Sequence, residues 1–169
     1  MTMPAPAQAT LPNDRDVRVT RQFNAPRALV YKAHTDPAIV QKWMLGPPGW
    51  TMPVCEMDVR VGGAYRWRWR SEDGDKEFGF FGTFEEVVEP AKIVHSENYD
   101  PGNVGGPMPA SEPALVTLEL TESAGVTTLV STIRFPSKEA RDDAFSTGMT
   151  DGMEMGYARL DEMFKAQAA

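Results

Sequence analysis

From Asp16 to Phe23 apolar and polar positions alternate, with Val17, Val19, Arg21 and Phe23 on one side and Arg18, Thr20 and Gln22 on the other, which predicts a half-buried strand. Asn24-Ala25-Pro26 then supplies a helix entry with proline in the first turn. Leu29, Val30 and Ala33 give that helix a short apolar face ending near Thr35. Asp36-Pro37 repeats the device and opens a second short helix through Trp43, with Ile39, Val40 and Trp43 inward. Gly46-Pro47-Pro48-Gly49 ends the pair, because two prolines between two glycines cannot continue a helix.

The pattern from Met52 to Phe135 has period two throughout, interrupted by turns. Cys55, Met57, Val59 and Val61 alternate with Glu56, Asp58 and Arg60, and after Gly62-Gly63-Ala64 the residues Tyr65, Trp67 and Trp69 alternate with Arg66, Arg68 and Arg70. Facing residues must share a side of the sheet, so a three-residue loop from Gly62 to Ala64 is predicted. It sets Val59 against Trp67 and Met57 against Trp69 inside, and Asp58 against Arg68 and Glu56 against Arg70 outside. The three arginines thereby have a structural explanation as cross-strand partners rather than as an anion site. Glu72 to Asp75 reads as a turn; Lys76 to Val88 returns with Phe78, Phe80, Gly82 and Phe84 on the tryptophan side, and Phe81 interrupts that alternation. Ile93 to Tyr99 follows, with His95 on the face of Ile93. Asp100 to Pro113, with three glycines and four prolines, is long for a connection and reads as a surface excursion or lid. Ala114–Thr121 and Thr127–Phe135 form the last hairpin around Ala124-Gly125, pairing Leu118 with Ser131, Leu120 with Leu129 and Thr117 with Thr132.

The final stretch, Ser137 to about Ala166, predicts one long helix. Ser137 is a hydroxyl N-cap followed by Glu139, Asp142 and Asp143, where the helix dipole favours negative charge. Phe145, Met149, Met153, Tyr157, Leu160 and Phe164 recur at three- or four-residue steps and mark the inner face, while Arg141, Asp142, Asp151, Glu154, Arg159 and Glu162 fall mainly elsewhere. Beside the stripe runs a ladder of Gly148, Gly152 and Gly156, each costing about 1 kcal/mol relative to alanine inside a helix. Either a strand lies close against the helix there, or the glycines leave room for a bound molecule. The expected class is α+β: a charged outer sheet face, and an inner face that only the C-terminal helix is long enough to cover, so the sheet must curl around it.

With 169 residues and 41% hydrophobic composition, the chain suits a single domain over residues 15–169, after a proline- and alanine-rich lead-in, 1–14, expected to be mobile. The net charge of −7 argues against nucleic-acid and anionic-membrane partners, which require a basic face. One cysteine, Cys55, excludes an intrachain disulfide, and no apolar run is long enough for a signal core or membrane span, so the expected location is cytoplasmic. His34, His95 and Cys55 have no ligand spacing, and the glycines of 102–106 lack a Lys-Ser/Thr follow-on, so neither metal nor nucleotide cofactor is expected. Cys55 falls on the inner face, where a thiol behaves as a small hydrophobe. His34, near the end of a helix, and His95, on a strand, read first as hydrogen-bonded structural histidines.

What remains is an apolar surround of flat and adaptable side chains: Trp43, Met57, Trp67, Trp69, Phe80, Met149, Met153 and Tyr157, with Gly152 and Gly156 beside them. Such walls suit planar or hydrocarbon ligands, and the alternative is that they fill a core. The leading expectation is a binding module for a hydrophobic small molecule, aromatic or lipid-like. A second is a cyclase or dehydratase acting on a polyketide-like or aromatic substrate, with His95, Glu97 or Tyr157 as acid or base in a dry pocket.

The string Ala25-Pro26-Arg27, Thr35-Asp36-Pro37, Lys42-Trp43, Gly46-Pro47, Pro53 to Asp58 and Gly62-Gly63 resembles the activator-of-heat-shock-protein-90-ATPase homologue family, of the START/SRPBCC superfamily. Gly82-x-Phe84, Phe135-Pro136-Ser137, Glu139 to Asp142, Gly148-Met149, Gly152 and Arg159-Leu160 extend the likeness over about residues 16–165. Met153 departs from it, standing where members often carry tryptophan. The resemblance implies a helix-grip fold, a curled sheet and long helix enclosing an apolar cavity roofed partly by the two short helices. It also suggests a third function, a chaperone-associated interaction domain, while fold alone assigns no activity.

Overall fold

A computed structural model describes residues 2–104 and 112–168. Its elements run β1 (Gln8–Thr10), β2 (Asp16–Phe23), α1 (Arg27–Thr35), α2 (Pro37–Trp43), β3 (Trp50–Met57), β4 (Ala64–Ser71), β5 (Glu77–Val88), β6 (Lys92–Asp100), β7 (Ala114–Ser123), β8 (Val126–Arg134), α3 (Lys138–Phe145) and α4 (Met149–Ala168). The strands make one curled, unclosed antiparallel sheet in the order β1-β2-β8-β7-β6-β5-β4-β3. Together with its helices this is the α+β helix-grip architecture.

The short helices start as their sequence dictates. The Asp36 carboxylate accepts from the Ala38 N–H at 3.0 Å and Pro37 occupies the first turn of α2. Val30, Ala33, Val40 and Trp43 are buried as expected; Tyr31 is buried too, whereas Leu29 is exposed. The β7–β8 hairpin has the predicted register, Leu118 against Ser131 and Leu120 against Leu129. Ala124 and Gly125 both take positive φ, 52° and 78°, matching the twist of the flanking strands in a two-residue turn.

Four expectations need correction. The lead-in is ordered at Gln8–Thr10, which pairs with β2, and the Ala7 N–H donates to Glu154 Oε1 at 2.7 Å. The β3–β4 connection is longer than three residues, because the Asp58 N–H bonds the Ala64 carbonyl and the Gly62 N–H the Phe84 carbonyl, tying Asp58–Gly63 into its own loop. The register therefore pairs Met57 with Tyr65, Glu56 with Arg66 and Cys55 with Trp67, a slip of four residues. An even slip keeps every side chain on its face, so Trp67 and Trp69 remain buried, but the arginines change partners. Arg68 pairs with Glu77 at 2.7 Å and with Asp100, and Arg70 pairs with Glu77.

The third correction is the C-terminal helix, which is two helices. The chain breaks at Ser146–Gly148, where Gly148 takes φ +81° and its carbonyl begins α4 by accepting from Asp151 and Gly152. Phe145 consequently turns outward, 36% exposed, instead of heading the inner stripe. The fourth is Arg141, expected on the solvated side but buried. Its Nη1 donates to the carbonyls of Asn13 (2.7 Å) and Asp16 (3.1 Å), fastening α3 to the start of β2. The Asp100–Pro113 excursion is described only at its ends. Asn103 there accepts from the Glu77 N–H and donates to the Asp75 carbonyl, while the centre on which a lid would depend lies outside the described residues.

Where α4 meets β2 the core is closed by buried side chains. Tyr157, Leu160 and Phe164 are buried against Phe23, whose ring meets those of Tyr157 and Phe164 edge-on at 5.5 and 5.9 Å. Arg21, 3% exposed, donates to both oxygens of Asp161 (3.0 and 2.7 Å) and both of Glu154 (3.0 and 3.1 Å), and its guanidinium stands 5.2 Å from the Phe23 ring. Those two carboxylates hold the guanidinium well above its ordinary pKa despite burial, so the charge is permanent and paired.

Candidate functional site

Between the inner sheet face, α2, the α3–α4 turn and the first half of α4 lies a cavity of about 710 Å³. Sheet curvature is one cause and side-chain choice on α4 the other. The three ladder glycines have three different roles. Gly148 makes the turn. A Cβ on Gly156 would stand 3.1 Å from the Trp43 carbonyl and 3.2 Å from its ring, so this glycine lets α2, rather than a strand, lie against α4. A Cβ on Gly152 would find its nearest neighbours, Gly46 and Pro47, at 4.0 Å, and this residue borders the cavity.

All ten residues expected at a ligand site, Trp43, Met57, Trp67, Trp69, Phe80, Met149, Gly152, Met153, Gly156 and Tyr157, line this one cavity. So do the three candidate acid–base residues His95, Glu97 and Tyr157. Missed were Trp50, Phe78, Phe84, Ile93, Tyr99, Val116, Leu118, Ile133 and Phe135, spread over five strands and the segment that follows β8. Alternation marks all but Trp50 as inward-facing, while Trp50 is out of phase with Cys55 and Met57 because the register shifts between Thr51 and Val54; inward positions near the cavity and in the packed core look the same in sequence.

The aromatic wall is fixed by local pairings. Trp69 pairs across strands with Phe78, stacked at 5.4 Å, and Trp67 with Phe80. The Trp69 indole donates to the Met44 carbonyl at 2.6 Å and the Trp43 indole to the Ala33 carbonyl at 2.8 Å, so both rings are locked. Trp43 stacks on Tyr157 at 5.9 Å, with burial raising the Tyr157 phenol well above its usual pKa. The Trp67 indole is different. It is 7% exposed and its Nε1–H has no hydrogen-bond partner among the described residues.

Polar groups gather on β6. His95 Nδ1 lies 3.0 Å from the Tyr65 hydroxyl and 3.0 Å from the Ser96 carbonyl, while the Tyr65 hydroxyl donates to that same carbonyl at 2.6 Å. With Tyr65's proton committed, Nδ1 faces two acceptors and must carry the hydrogen, which leaves Nε2 as a bare lone pair. Burial lowers the His95 pKa and keeps the ring neutral. Glu97, two residues along the same strand, has no hydrogen-bond or ion-pair partner among the described residues, and burial alone raises its pKa to about 7. His34 also borders the cavity; its Nδ1 bonds the Val30 carbonyl at 2.8 Å and burial lowers its pKa to about 4. The Cys55 thiol is raised to about 11 by burial first and by Asp36 second, so at neutral pH it is a protonated apolar group rather than a nucleophile.

Neither a lysine nor an arginine lines the cavity among the described residues, whereas Glu97, Glu112 and Asp143 do. No group of three or more His, Cys, Asp or Glu among the described residues is placed to hold a metal, and no helix there is long and apolar enough to cross a membrane.

The sequence over residues 24–165 matches the family model "Activator of Hsp90 ATPase homolog 1-like protein". No curated protein matches the chain. Among solved structures, a Rhodobacter sphaeroides protein aligns with TM-score 0.85 and 28% identity, over 96% of this chain and 99% of that one. A Mycobacterium smegmatis protein aligns with TM-score 0.80 and 20% identity, over 97% and 99%. An AHSA1-like protein from Aeromonas hydrophila aligns with TM-score 0.62 and 18% identity, over 83% and 90%; the last two bear on the fold alone. START-fold relatives commonly bind hydrophobic ligands. With the family match spanning most of the chain and the helix-grip fold in place, this protein belongs to the activator-of-Hsp90-ATPase homolog 1-like family of the START/SRPBCC superfamily.

Proposed function

We propose that this protein is a cytoplasmic binding module for a hydrophobic small molecule, aromatic or lipid-like, held between the sheet and the first half of α4. The observation that carries this reading is the cavity itself: about 710 Å³ walled chiefly by tryptophan, phenylalanine, tyrosine and methionine, a size and character suited to a ligand of drug-like dimensions. Locked indoles at Trp43 and Trp69 give a rigid wall, while Met149 and Met153 give one that adapts, a combination that tolerates ligands of differing shape. The decisive experiment is native mass spectrometry of the purified protein with extraction of bound material, followed by titration with an apolar fluorescent dye. An occupied cavity, or dye uptake displaced by the extracted compound, is the expected result; protein that carries nothing and takes up no dye overturns the proposal.

An enzymatic reading, a cyclase or dehydratase on a polyketide-like or aromatic substrate, has one observation in its favour. A bare imidazole nitrogen and a carboxyl with pKa about 7 border the same apolar cavity, the pairing that general acid–base work needs. Turnover insensitive to His95→Ala, Glu97→Gln and Tyr157→Phe at matched folding would end that reading.

A further inference from the structure

We propose that the cavity's ligand is an aromatic amine, whose ammonium group lies against the carboxylate of Glu97 and whose apolar body runs along the aromatic row beside it. This rests on the cavity reading above and adds the charge of the ligand's polar group.

Glu97 stands where the inner face of the sheet is bare. It pairs with Ala114 on β7, and the register that sets Phe81 against Asn98 sets Gly82 opposite it on β5. A Cβ on Gly82 would collide with the Ser96 carbonyl, so no side chain can stand on that side, and Ala114 puts only a methyl on the other. Glu97 is half-buried and lines the cavity, so it keeps surface that a ligand can touch. Its surroundings supply no countercharge among the described residues: no lysine or arginine lines the space, the buried Arg21 is committed to Asp161 and Glu154, and burial keeps His95 neutral. Burial first and the Glu97 charge second raise the phenol of Tyr65, whose proton goes to the Ser96 carbonyl and not to the carboxylate. Two residues further along β6, about 7 Å at strand spacing, lies an aromatic row in which Trp67 pairs with Phe80 and the rings of Phe80 and Tyr99 meet at 5.4 Å. An ammonium one carbon from an aromatic ring therefore reaches Glu97 while its ring stays on that row.

The chemistry of these walls selects among head groups. A carboxylate or phosphate finds no cation among the described lining residues and faces the charge of Glu97. A neutral hydroxyl gains one hydrogen bond there and gives up those it made to water. An ammonium gains an ion pair with a carboxylate that has no other, and the negative faces of aromatic rings favour a cation in the same space, with all four tryptophans of the chain on its walls. The carboxyl, raised to about 7 by burial alone, is partly ionised at neutral pH, and a bound cation draws it to the charged form. The net charge of −7 attracts cations to the protein as a whole.

The test is a binding titration of the full chain at about pH 8 with naphthylmethylamine, methylnaphthalene and naphthoate, which share a body and carry a cation, no charge and an anion. A wholly apolar cavity would take methylnaphthalene tightest, since a charged group must be stripped of water. The expected order is naphthylmethylamine tightest, by about tenfold or more over methylnaphthalene, with naphthoate weakest. Glu97→Gln, which keeps the shape and removes the charge, should cut the amine's affinity at least about fivefold and leave that of methylnaphthalene within about twofold, so the neutral compound reports on the same protein that the cavity is intact. Glu97→Leu repeats the comparison should the glutamine variant misfold. Methylnaphthalene or naphthoate bound by the parent protein as tightly as the amine overturns the subsite and leaves the cavity reading standing; binding of none of the three, nor of any apolar dye, removes both. An amine preference unchanged in the variants would come from the overall negative charge rather than from Glu97, and also overturns the assignment.

Discussion

The two halves of α4 carry one continuous inward stripe and do opposite things with it. From Glu154 onward Tyr157, Leu160 and Phe164 are buried, Tyr157 and Phe164 pack edge-on against Phe23 although Tyr157 also reaches the cavity, and the Arg21–Asp161–Glu154 cluster ties helix to β2. In the first half Met149, Gly152 and Met153 stand over the cavity, and the helix is interrupted just before them. The periodicity is the same in both. What differs is residue type: branched and aromatic side chains with a buried ion cluster close one half, and flexible or absent side chains leave the other open. A helix face therefore predicts which way residues point and leaves open whether anything fills the space they point into.

The sharpest way to break this contrast is at the closed half. Arg21→Leu leaves Asp161, 9% exposed, without its partner, and removing one member of a buried ion cluster costs about 3–5 kcal/mol. Equilibrium denaturation should show a loss of that size; a loss below about 1 kcal/mol would mean that the ion cluster is not what fixes this half.

Next come paired leucines on the two helical glycines. Gly156→Leu drives a side chain into Trp43 and should destabilise by about 1–3 kcal/mol. Gly152→Leu points into the cavity, gains about 0.5–1 kcal/mol of helix propensity, and should hold or raise the melting temperature while abolishing dye binding. Similar destabilisation by both, with binding intact, would show that the halves do not differ in this way.

The fold was legible because its strongest signals are local or parity-based. Asp36-Pro37 specifies a helix start by itself, and Leu118–Ser131 follows from a two-residue turn at Ala124-Gly125. In β3–β4 the register was misread by four residues, because Gly62-Gly63 resembles a hairpin tip whereas Asp58 and Gly62 are held by Ala64 and Phe84; faces survived because the slip is even. The break at Gly148 was hidden, since Phe145 lies four residues before Met149 and keeps the helical period across it. At the site, residue type revealed the α4 and tryptophan walls. Side chains such as Val116 and Ile133 were not distinguishable from ordinary core, since what sets them apart is the curvature of the sheet.

The boundary between the halves and α3 can be sharpened at Gly148. Alanine in place of a residue at φ +81° costs about 1–2 kcal/mol, whereas in a continuous helix the same change would stabilise by about 1 kcal/mol. The sign of the change in melting temperature for Gly148→Ala decides between a broken and an unbroken helix.

The smallest effect is electrostatic and belongs to the open half alone. Glu97 has a folded pKa of about 7 against an ordinary 4.5, so the folded state binds its proton more tightly; the resulting stabilisation is complete below pH 4.5 and disappears as pH rises through 7. His34 runs the other way: with its pKa lowered from 6.5 to about 4, its contribution is present above pH 6.5 and lost as pH falls through 4, and His95 shares that direction. Between these limits the slopes oppose each other, and the parent's stability profile should be flatter than either. Glu97→Gln removes one slope and keeps the shape. Melting temperatures of parent and variant across this range should converge or favour the parent near pH 4.5, then shift progressively in the variant's favour up to about pH 7 and level off. A difference that stays constant with pH would place Glu97 in contact with water, and the open half of α4 would then face a wet groove instead of a dry cavity.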